Sequence, residues 1–551
     1  MSTFGWLTIA IAVPAAGALV IALTPGASSP GSDADRRARE LLVKRLALVF
    51  TLLTLGVTVA MAVVYSPGGP RFQFNQAYSW IAQFGIHYAV GVDGIALVLV
   101  VMTAVLAPLV VMGLWNSVGG EAVSAAGQAG GGGGGRGAGR APRRHSVKTY
   151  FALLLVLEAM MIGSFAATDV FLFYVLFEAM LIPMYFMIGS FGVGQRQYAA
   201  VKFLLYNLLG GLLMLAAVIA LYVYSARGGH PGTFLFSQLT HLRLSPAVQK
   251  WLFLGFFIAF AIKSPLWPFH TWLPDAAASA QPGDAVLMIG VMDKIGTFGM
   301  IRYCLLLFPV AAHYFTPLIL VLSVVGVLYG AIVAIGQTDM KRLISYLSVS
   351  GMGLITLGIF AMTSQGQTGA TLQMVNHGFL VGALFLLAGF LIARRGSQLI
   401  EDYGGVQKVA PMLAGLFLLA SLAGLALPGL NTFVSEFLVL VGTFTRYKAA
   451  AVAATVGIIL AAIYMLWMYQ RMMTGPVRKE VEGFGDLRAR ELWAVGPLVA
   501  LIIALGVYPQ PVLNIINPAV HQTLTAVHVK DPAPPHPATA GGPSSPKGTA
   551  P

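Results

Sequence analysis

Five ionisable side chains lie inside long apolar segments of this sequence, and they are Glu178, Lys263, Lys294, His377 and Glu436. A charged group at the centre of a bilayer costs about 2.5–3.5 kcal/mol on insertion scales. Carboxyl, ammonium and imidazole groups can all take up and release protons, and a histidine can pass one between its two ring nitrogens. The distribution of these groups through an apolar interior therefore predicts a path for protons.

The elements that must position these groups are apolar helices. Of the 551 residues, 57% are hydrophobic and 10% are charged, and the mean hydropathy is +0.80. A helix of about 20 apolar residues spans the hydrocarbon core and satisfies its own backbone hydrogen bonds. We therefore predict an all-α polytopic membrane protein with about 14 transmembrane helices. The predicted spans are residues 4–24, 46–65, 90–114, 149–166, 169–190, 201–225, 251–272, 284–308, 315–336, 342–362, 370–393, 411–441, 450–472 and 492–516.

The basic residues alternate from loop to loop. Of the 33 lysines and arginines, 22 lie in the odd-numbered loops and 8 on the opposite side, including the C-terminal tail. The positive-inside rule then places the odd-numbered loops in the cytoplasm and both termini on the extracytoplasmic side of a bacterial-type cell membrane. The net charge of +13 is thereby attributed to topology, so we do not expect nucleic acid to be a partner.

The chain divides into six predicted regions. Helices four to eight and nine to thirteen form two comparable five-helix units, and the fourth helix of each contains an internal proline, Pro265 or Pro428. Paired broken helices are typical of repeat-built transporters with a site near the midplane, and an odd number of helices per unit makes the repeats inverted. The regions are a three-helix segment (1–116), a Gly-rich cytoplasmic linker (117–148), two repeats (149–308 and 315–473), a last helix (492–516) and a disordered tail (517–551).

Three further acidic residues are candidates for accessory roles. Glu158 lies deep in the fourth predicted helix, and Asp293 is adjacent to Lys294, so that its side chain points about 100° away around the helix. Asp93 precedes the apolar part of the third predicted helix and could simply cap it. His377 could be a buried neutral histidine, and a haem bound with His270 is a weaker alternative because no pattern positions both residues around one iron.

Several motifs of this sequence resemble the antiporter-like membrane subunits of respiratory complex I, the NADH-quinone oxidoreductase. The resemblance covers most of residues 80–515. It is carried by FEAMLIPMY (177–185), KSPLWPFHTWLPD (263–275), KIGTFG (294–299), DMKRLISY (339–346), NHG (376–378), LPG (427–429) with Glu436, and YMLWMYQR (464–471).

The resemblance implies one proton channel. Glu178 and Lys263 would form its input pair, Lys294 and His377 its central relay, and Glu436 its exit, where sister chains typically carry lysine. It also implies partners within the membrane, namely neighbouring antiporter-like chains and the lateral helix of chain L, besides lipid. FMN, iron–sulfur clusters and quinone are expected in other subunits, and no cofactor or metal is expected in this chain.

Some family positions differ here. Many relatives carry a histidine and a glutamate where this chain has Ala277 and Ser279, and many carry a histidine at the position of Gly351. Roles of those side chains therefore do not transfer. The nearest alternative function is that of a subunit of a multisubunit sodium/proton antiporter. A solute carrier would need a clustered polar pocket, and a structural scaffold would tolerate neutral side chains at Glu178 and Lys263.

Overall fold

A computed structural model describes residues 4–25, 32–118, 146–227 and 231–532. Most of the predicted Gly-rich linker and the tail beyond residue 532 lie outside the described residues. Within the described part, 12 helices are long and apolar enough to cross a membrane, so the chain is a multi-pass membrane protein. Large apolar side chains such as Val63, Leu209 and Trp251 remain exposed on its outer surface, as a lipid-facing surface requires.

The helices of the first half begin and end within about five residues of the predicted positions, with three differences. The second helix starts at Asp33, thirteen residues earlier than predicted. The third helix starts at Gly94, four residues later than predicted, because a strand occupies the preceding segment. The fifth bends at Met180 because Pro183 has no N–H for the carbonyl of Ala179. The bounds are α1 Trp6–Leu23, α2 Asp33–Val64, α3 Gly94–Gly113, α4 Val147–Ala166, α5 Val170–Ala179, α6 Leu181–Phe191 and α7 Arg196–Ser225.

Besides the helices that were predicted, the described residues contain a two-stranded hairpin that was not, β1 (Gln73–Ile81) and β2 (Ile86–Val92). The strands are antiparallel, with Tyr78 opposite Tyr88. The segment is rich in aromatic residues, which favour strands. It is tied to the start of α5, because Asp169 accepts a hydrogen bond from the His87 N–H at 3.1 Å and the Thr168 N–H donates to the Ala89 carbonyl at 2.9 Å.

The seventh predicted helix is interrupted where its prolines indicated. It begins as α8 (Pro246–Lys263) and unwinds over 264–271, and a second part, α9 (Trp272–Ser279), extends beyond the predicted end at residue 272. The twelfth is likewise divided into α15 (Pro411–Gly424) and α16 (Asn431–Arg446). Gly429 lies between these two helices with a φ of 94°, a conformation that glycine adopts without strain.

The eighth predicted helix is not a regular α-helix. It runs as α10 (Pro282–Leu287), a π-helical turn (Met288–Met292), α11 (Asp293–Gly299) and a second π-helical segment (Met300–Leu305). Such π turns are rare in proteins overall, and those that occur often lie at functional sites. Lys294 therefore follows directly on a widened turn.

The second half continues with long helices. The predicted last helix, 492–516, is instead two helices, because Pro509 ends the first and Pro511 lies in the first turn of the second. Residues 517–526, assigned to the disordered tail, are part of this second helix. The bounds are α12 Pro309–Ile335, α13 Met340–Phe360, α14 Ser364–Arg395, α17 Lys448–Met473, α18 Ala489–Val507 and α19 Gln510–Ala526, with single helical turns at Phe236–Leu239 and Val406–Val409.

Candidate functional site

Glu178 lies at the bend between α5 and α6. Its Oε1 is buried and has no hydrogen-bond partner among the described residues. Gly211 of α7 packs against the carboxylate so closely that a Cβ there would collide with both of its oxygens. The proline-induced bend and this glycine together make space for a carboxylate inside an apolar bundle.

Lys263 is the last residue of α8 and is 1% exposed. Its ammonium donates a hydrogen bond to the Phe177 carbonyl at 3.1 Å and lies 4.3 Å from the centre of the Phe177 ring. Lys263 and Glu178 interact electrostatically, yet no salt bridge joins them in the described structure. The two residues of the predicted input pair are therefore neighbours that form no salt bridge, which we call an open pair. The lysine is held instead by the Phe177 backbone carbonyl.

Lys294 and His377 are in direct contact, although 83 residues separate them. The Lys294 Nζ lies 2.8 Å from His377 Nδ1, and it also donates to the Ile289 carbonyl at 2.5 Å. Both side chains are at most 1% exposed. A lysine ammonium has only donors, so Nδ1 is the acceptor and the neutral imidazole carries its proton on Nε2.

A cavity of about 30 Å³ lies beside His377, large enough for one or two water molecules. The His377 Nε2 has no protein partner in the described structure, and Gly351 and Tyr464 are among the other lining residues. Glu436 lines the same cavity. The imidazole and the Glu436 carboxyl therefore line one small cavity.

A network of polar side chains that the sequence analysis did not single out joins α14 to α16 and includes Glu436. The Gln373 amide donates to Glu436 Oε1 at 3.0 Å, and Ser435 hydrogen-bonds to the Gln373 carbonyl oxygen. Asn376 donates to the Asn431 carbonyl at 2.7 Å, and Asn431 donates back to the Asn376 carbonyl at 3.1 Å. Their spacing on apolar helices α14 and α16 is the signal that could have identified them.

The accessory candidates differ in their surroundings. Glu158 and Asp293 are 0% exposed, and the oxygens of both carboxyl groups lack hydrogen-bond partners in the described residues. Asp293 interacts electrostatically with Lys294 and Lys263, whereas Glu158 has no such charged neighbour in the part of the chain described. Asp293 is therefore associated with the lysines, and Glu158 is isolated.

Asp93 has two structural contacts. Its Oδ1 caps α3 by accepting from the Ala96 N–H at 2.9 Å, and its Oδ2 lies 2.9 Å from the Arg302 guanidinium in a salt bridge whose side chains are 2–3% exposed. Arg302 also lies over the rings of Phe72 and Phe298, 4.6 Å and 5.0 Å from their centres. Sequence analysis identified the capping alternative but not this partner.

No group of three or more His, Cys, Asp or Glu side chains suited to a metal ion occurs in the residues that the structure describes. The arrangement instead offers proton donors and acceptors in sequence: an open carboxylate–lysine pair, a lysine–histidine contact, and a histidine and a carboxyl around one cavity.

Comparison with known proteins gives a consistent result. The family model described as "NADH:quinone oxidoreductase/Mrp antiporter, TM" matches residues 167–462. NADH-quinone oxidoreductase subunit M of Mycobacterium tuberculosis (strain ATCC 25618 / H37Rv) is 53% identical over 99% of both chains. The protein of the same name from Rhodobacter capsulatus is 39% identical over 95% of this chain and 97% of its own.

Solved structures share the fold. A chain of respiratory complex I from Thermus thermophilus with bound NADH superimposes with a TM-score of 0.80 at 28% identity, over 95% of this chain and 99% of that one. A chain of the Mrp complex from Dietzia sp. DQ12-45-1b reaches a TM-score of 0.78 over 96% and 100% of the two chains. At 19% identity, the second likeness concerns the fold alone.

Proposed function

We propose a proton path through this chain on the premise that it belongs to the subunit M family of NADH-quinone oxidoreductase, the antiporter-like membrane subunits of complex I. The chain is thus a membrane subunit of a proton-translocating enzyme. We further propose that electrons move through other subunits, which would hold FMN, iron–sulfur clusters and quinone. Its neighbours would be other antiporter-like chains and the lateral helix of chain L, with both termini of this chain extracytoplasmic.

The Lys294–His377 contact carries this proposal. Lys294 hands its proton to His377 Nδ1 across 2.8 Å, and His377 releases its other proton from Nε2 into the adjacent cavity. Water in that cavity passes the proton to Glu436, whose Oε1 is held by Gln373. The imidazole then returns to its first tautomer, so that His377 is ready for the next proton and no group of the relay is permanently changed.

The Glu178–Lys263 pair would control when Lys294 is reloaded. Opposite charges 4 Å apart attract by about 4 kcal/mol at an effective dielectric of 20. Moving one charge against 100 mV takes about 2.3 kcal/mol, so making or breaking such a pair is large enough to drive the step. With the pair open, Lys263 releases its proton towards Lys294; with the pair closed, it keeps it.

The direct test is Glu178→Gln, assayed as NADH-driven proton uptake by inverted membrane vesicles. We expect uptake to fall by about tenfold or more, with slower NADH oxidation, in a complex that assembles normally on a native gel. Glu401→Gln, which neutralises an exposed acidic side chain, is the matched control. Unchanged uptake would leave Glu178 a structural role, and lost sodium/proton exchange with normal NADH coupling would indicate a sodium/proton antiporter subunit.

A second prediction concerns the space around the same carboxylate. Gly211→Ala should lower NADH-driven uptake about threefold or more, because the new methyl group displaces the Glu178 carboxylate without changing any charge. Gly415→Ala, where a Cβ meets nothing within 4 Å, controls for the helix. Equal uptake in both variants would show that the position of Glu178 is not critical.

A further inference from the structure

A second buried polar cluster lies at the start of the helical run that carries Lys294. Asp284 of α10 is 0% exposed. One of its oxygens accepts a hydrogen bond from Tyr150 of α4, and the other has no partner in the described structure. Lys341 of α13, 2% exposed, donates to the Ala280 carbonyl at 2.7 Å.

Asp284 and Lys341 act on each other without touching. They interact electrostatically, and no salt bridge joins them in the described residues. Tyr150 is the other titratable group that interacts with Asp284; helices α3, α6, α9 and α14 also pack against α10 and add none. Lys341 also interacts electrostatically with Asp339, which caps the start of α13. A carboxyl oxygen without a partner beside an ammonium is a place for water.

A row of four residues on one face of α13 leads from this cluster towards His377. Lys341, Ser345, Ser348 and Gly351 follow one another at spacings of four, three and three residues, so they are neighbours along one helix face. The ten residues from Lys341 to Gly351 correspond to about 15 Å of helix. At the far end, a Cβ on Gly351 would lie 2.9 Å from His377 Nε2.

The two serines of this row behave differently. Both are 0% exposed, and the Ser345 hydroxyl donates to the Lys341 carbonyl at 2.7 Å, the usual arrangement of a serine inside a helix. The Ser348 hydroxyl has no protein partner in the described structure. A buried hydroxyl without a partner is unfavourable, so Ser348 is the position along the row that most requires water.

We propose that Asp284 and Lys341 form a proton-loading site and that the row Ser345–Ser348–Gly351 conducts protons from it to the Lys294–His377 pair. This inference rests on the proposed proton-translocating function. Both loading residues adjoin loops predicted to be cytoplasmic. The Asp284 carboxylate takes a proton from that side and gives it to water along the row. That water protonates His377 at Nε2, where the row ends, and His377 returns its Nδ1 proton to Lys294, so each group ends as it began. The row is thus a second supply of protons to Lys294, beside Lys263.

The test compares Asp284→Asn, Asp284→Glu and Ser348→Ala by NADH-driven proton uptake in inverted vesicles, where the bath contacts the former cytoplasmic face. We expect Asp284→Asn to lower uptake about tenfold in alkaline buffer and clearly less in acidic buffer, because loading limits the rate when protons are scarce. Asp284→Glu should restore the pH profile, and Ser348→Ala should lower uptake about threefold.

Two reference variants make each outcome decisive. Ser323→Ala removes another fully buried hydroxyl without a partner, on α12, and should have no effect.

Lys294→Met tests the proposed function itself. If Lys294→Met stops uptake while Asp284→Asn and Ser348→Ala pump normally at every pH, the loading site is refuted and the relay stands. If Lys294→Met also pumps normally, the relay fails. Ser348→Ala changes so little volume that it keeps the test valid should Asp284→Asn not assemble.

Discussion

Replacing Lys294 with methionine should reduce NADH-driven proton uptake by at least about tenfold, since a lost acid–base group commonly lowers a rate by 10²–10⁴-fold. Methionine fills much of the same space but has no proton to give. His377 Nδ1 would lose its 2.8 Å partner, and the Ile289 carbonyl would lose a donor. We expect NADH oxidation to slow in parallel in the assembled complex, measured on the same vesicles.

The matched control for this prediction is Lys448→Met. Lys448 is exposed, with its ammonium 5.9 Å from the centre of the Phe444 ring, and its loss should leave uptake unchanged. His377→Gln provides the complementary arm, because it removes the imidazole that connects Lys294 to the cavity. Normal uptake by fully assembled Lys294→Met would be incompatible with the relay.

Removing Asp93 should be the most destabilising single change among those considered. Asp93→Ala leaves the Arg302 guanidinium buried without its carboxylate, and an uncompensated buried charge of this kind destabilises by about 3–5 kcal/mol. The helix cap on Ala96 is lost as well. We expect the purified complex to release or unfold this subunit at a lower temperature, followed on native gels after heating.

The double variant Asp93→Leu/Arg302→Met separates the charge from the packing. Replacement of a whole buried ion pair by apolar residues is often nearly neutral, so the double variant should be more stable than Asp93→Ala. Glu480→Ala, at an exposed position, serves as the reference. If the double variant and Asp93→Ala melted together, the loss would be due to packing around Phe72 and Phe298 rather than to the buried charge.

The sequence indicates the breaks and the candidate residues because both depend on local signals. Pro265 and Pro428 interrupt helices wherever they occur in an apolar run, and Lys263 or Glu436 inside such a run has few structural explanations. The inverted relation of the two repeats stays a prediction, as do the proton-path roles themselves.

Long-range partners could not be derived in the same way. Nothing near Arg302 in the sequence indicates that it meets Asp93, 209 positions earlier. The Lys294–His377 contact was expected only from the family resemblance. The hairpin was missed because its strands lie between much stronger helical signals. The π-helical turns have no composition that distinguishes them from α-helix.

The π-helical turn at Met288–Met292 is in effect a one-residue insertion into a helix. Each residue of an α-helix advances the direction of the side chains by about 100°. A turn closed by i→i+5 hydrogen bonds holds one residue more than an α-helical turn, so Lys294 faces as it would in an α-helix that is one residue shorter. Deleting one residue of this turn should therefore give a regular α-helix with Lys294 still towards His377, whereas adding one residue would redirect Lys294 while leaving every side chain of the relay in the sequence.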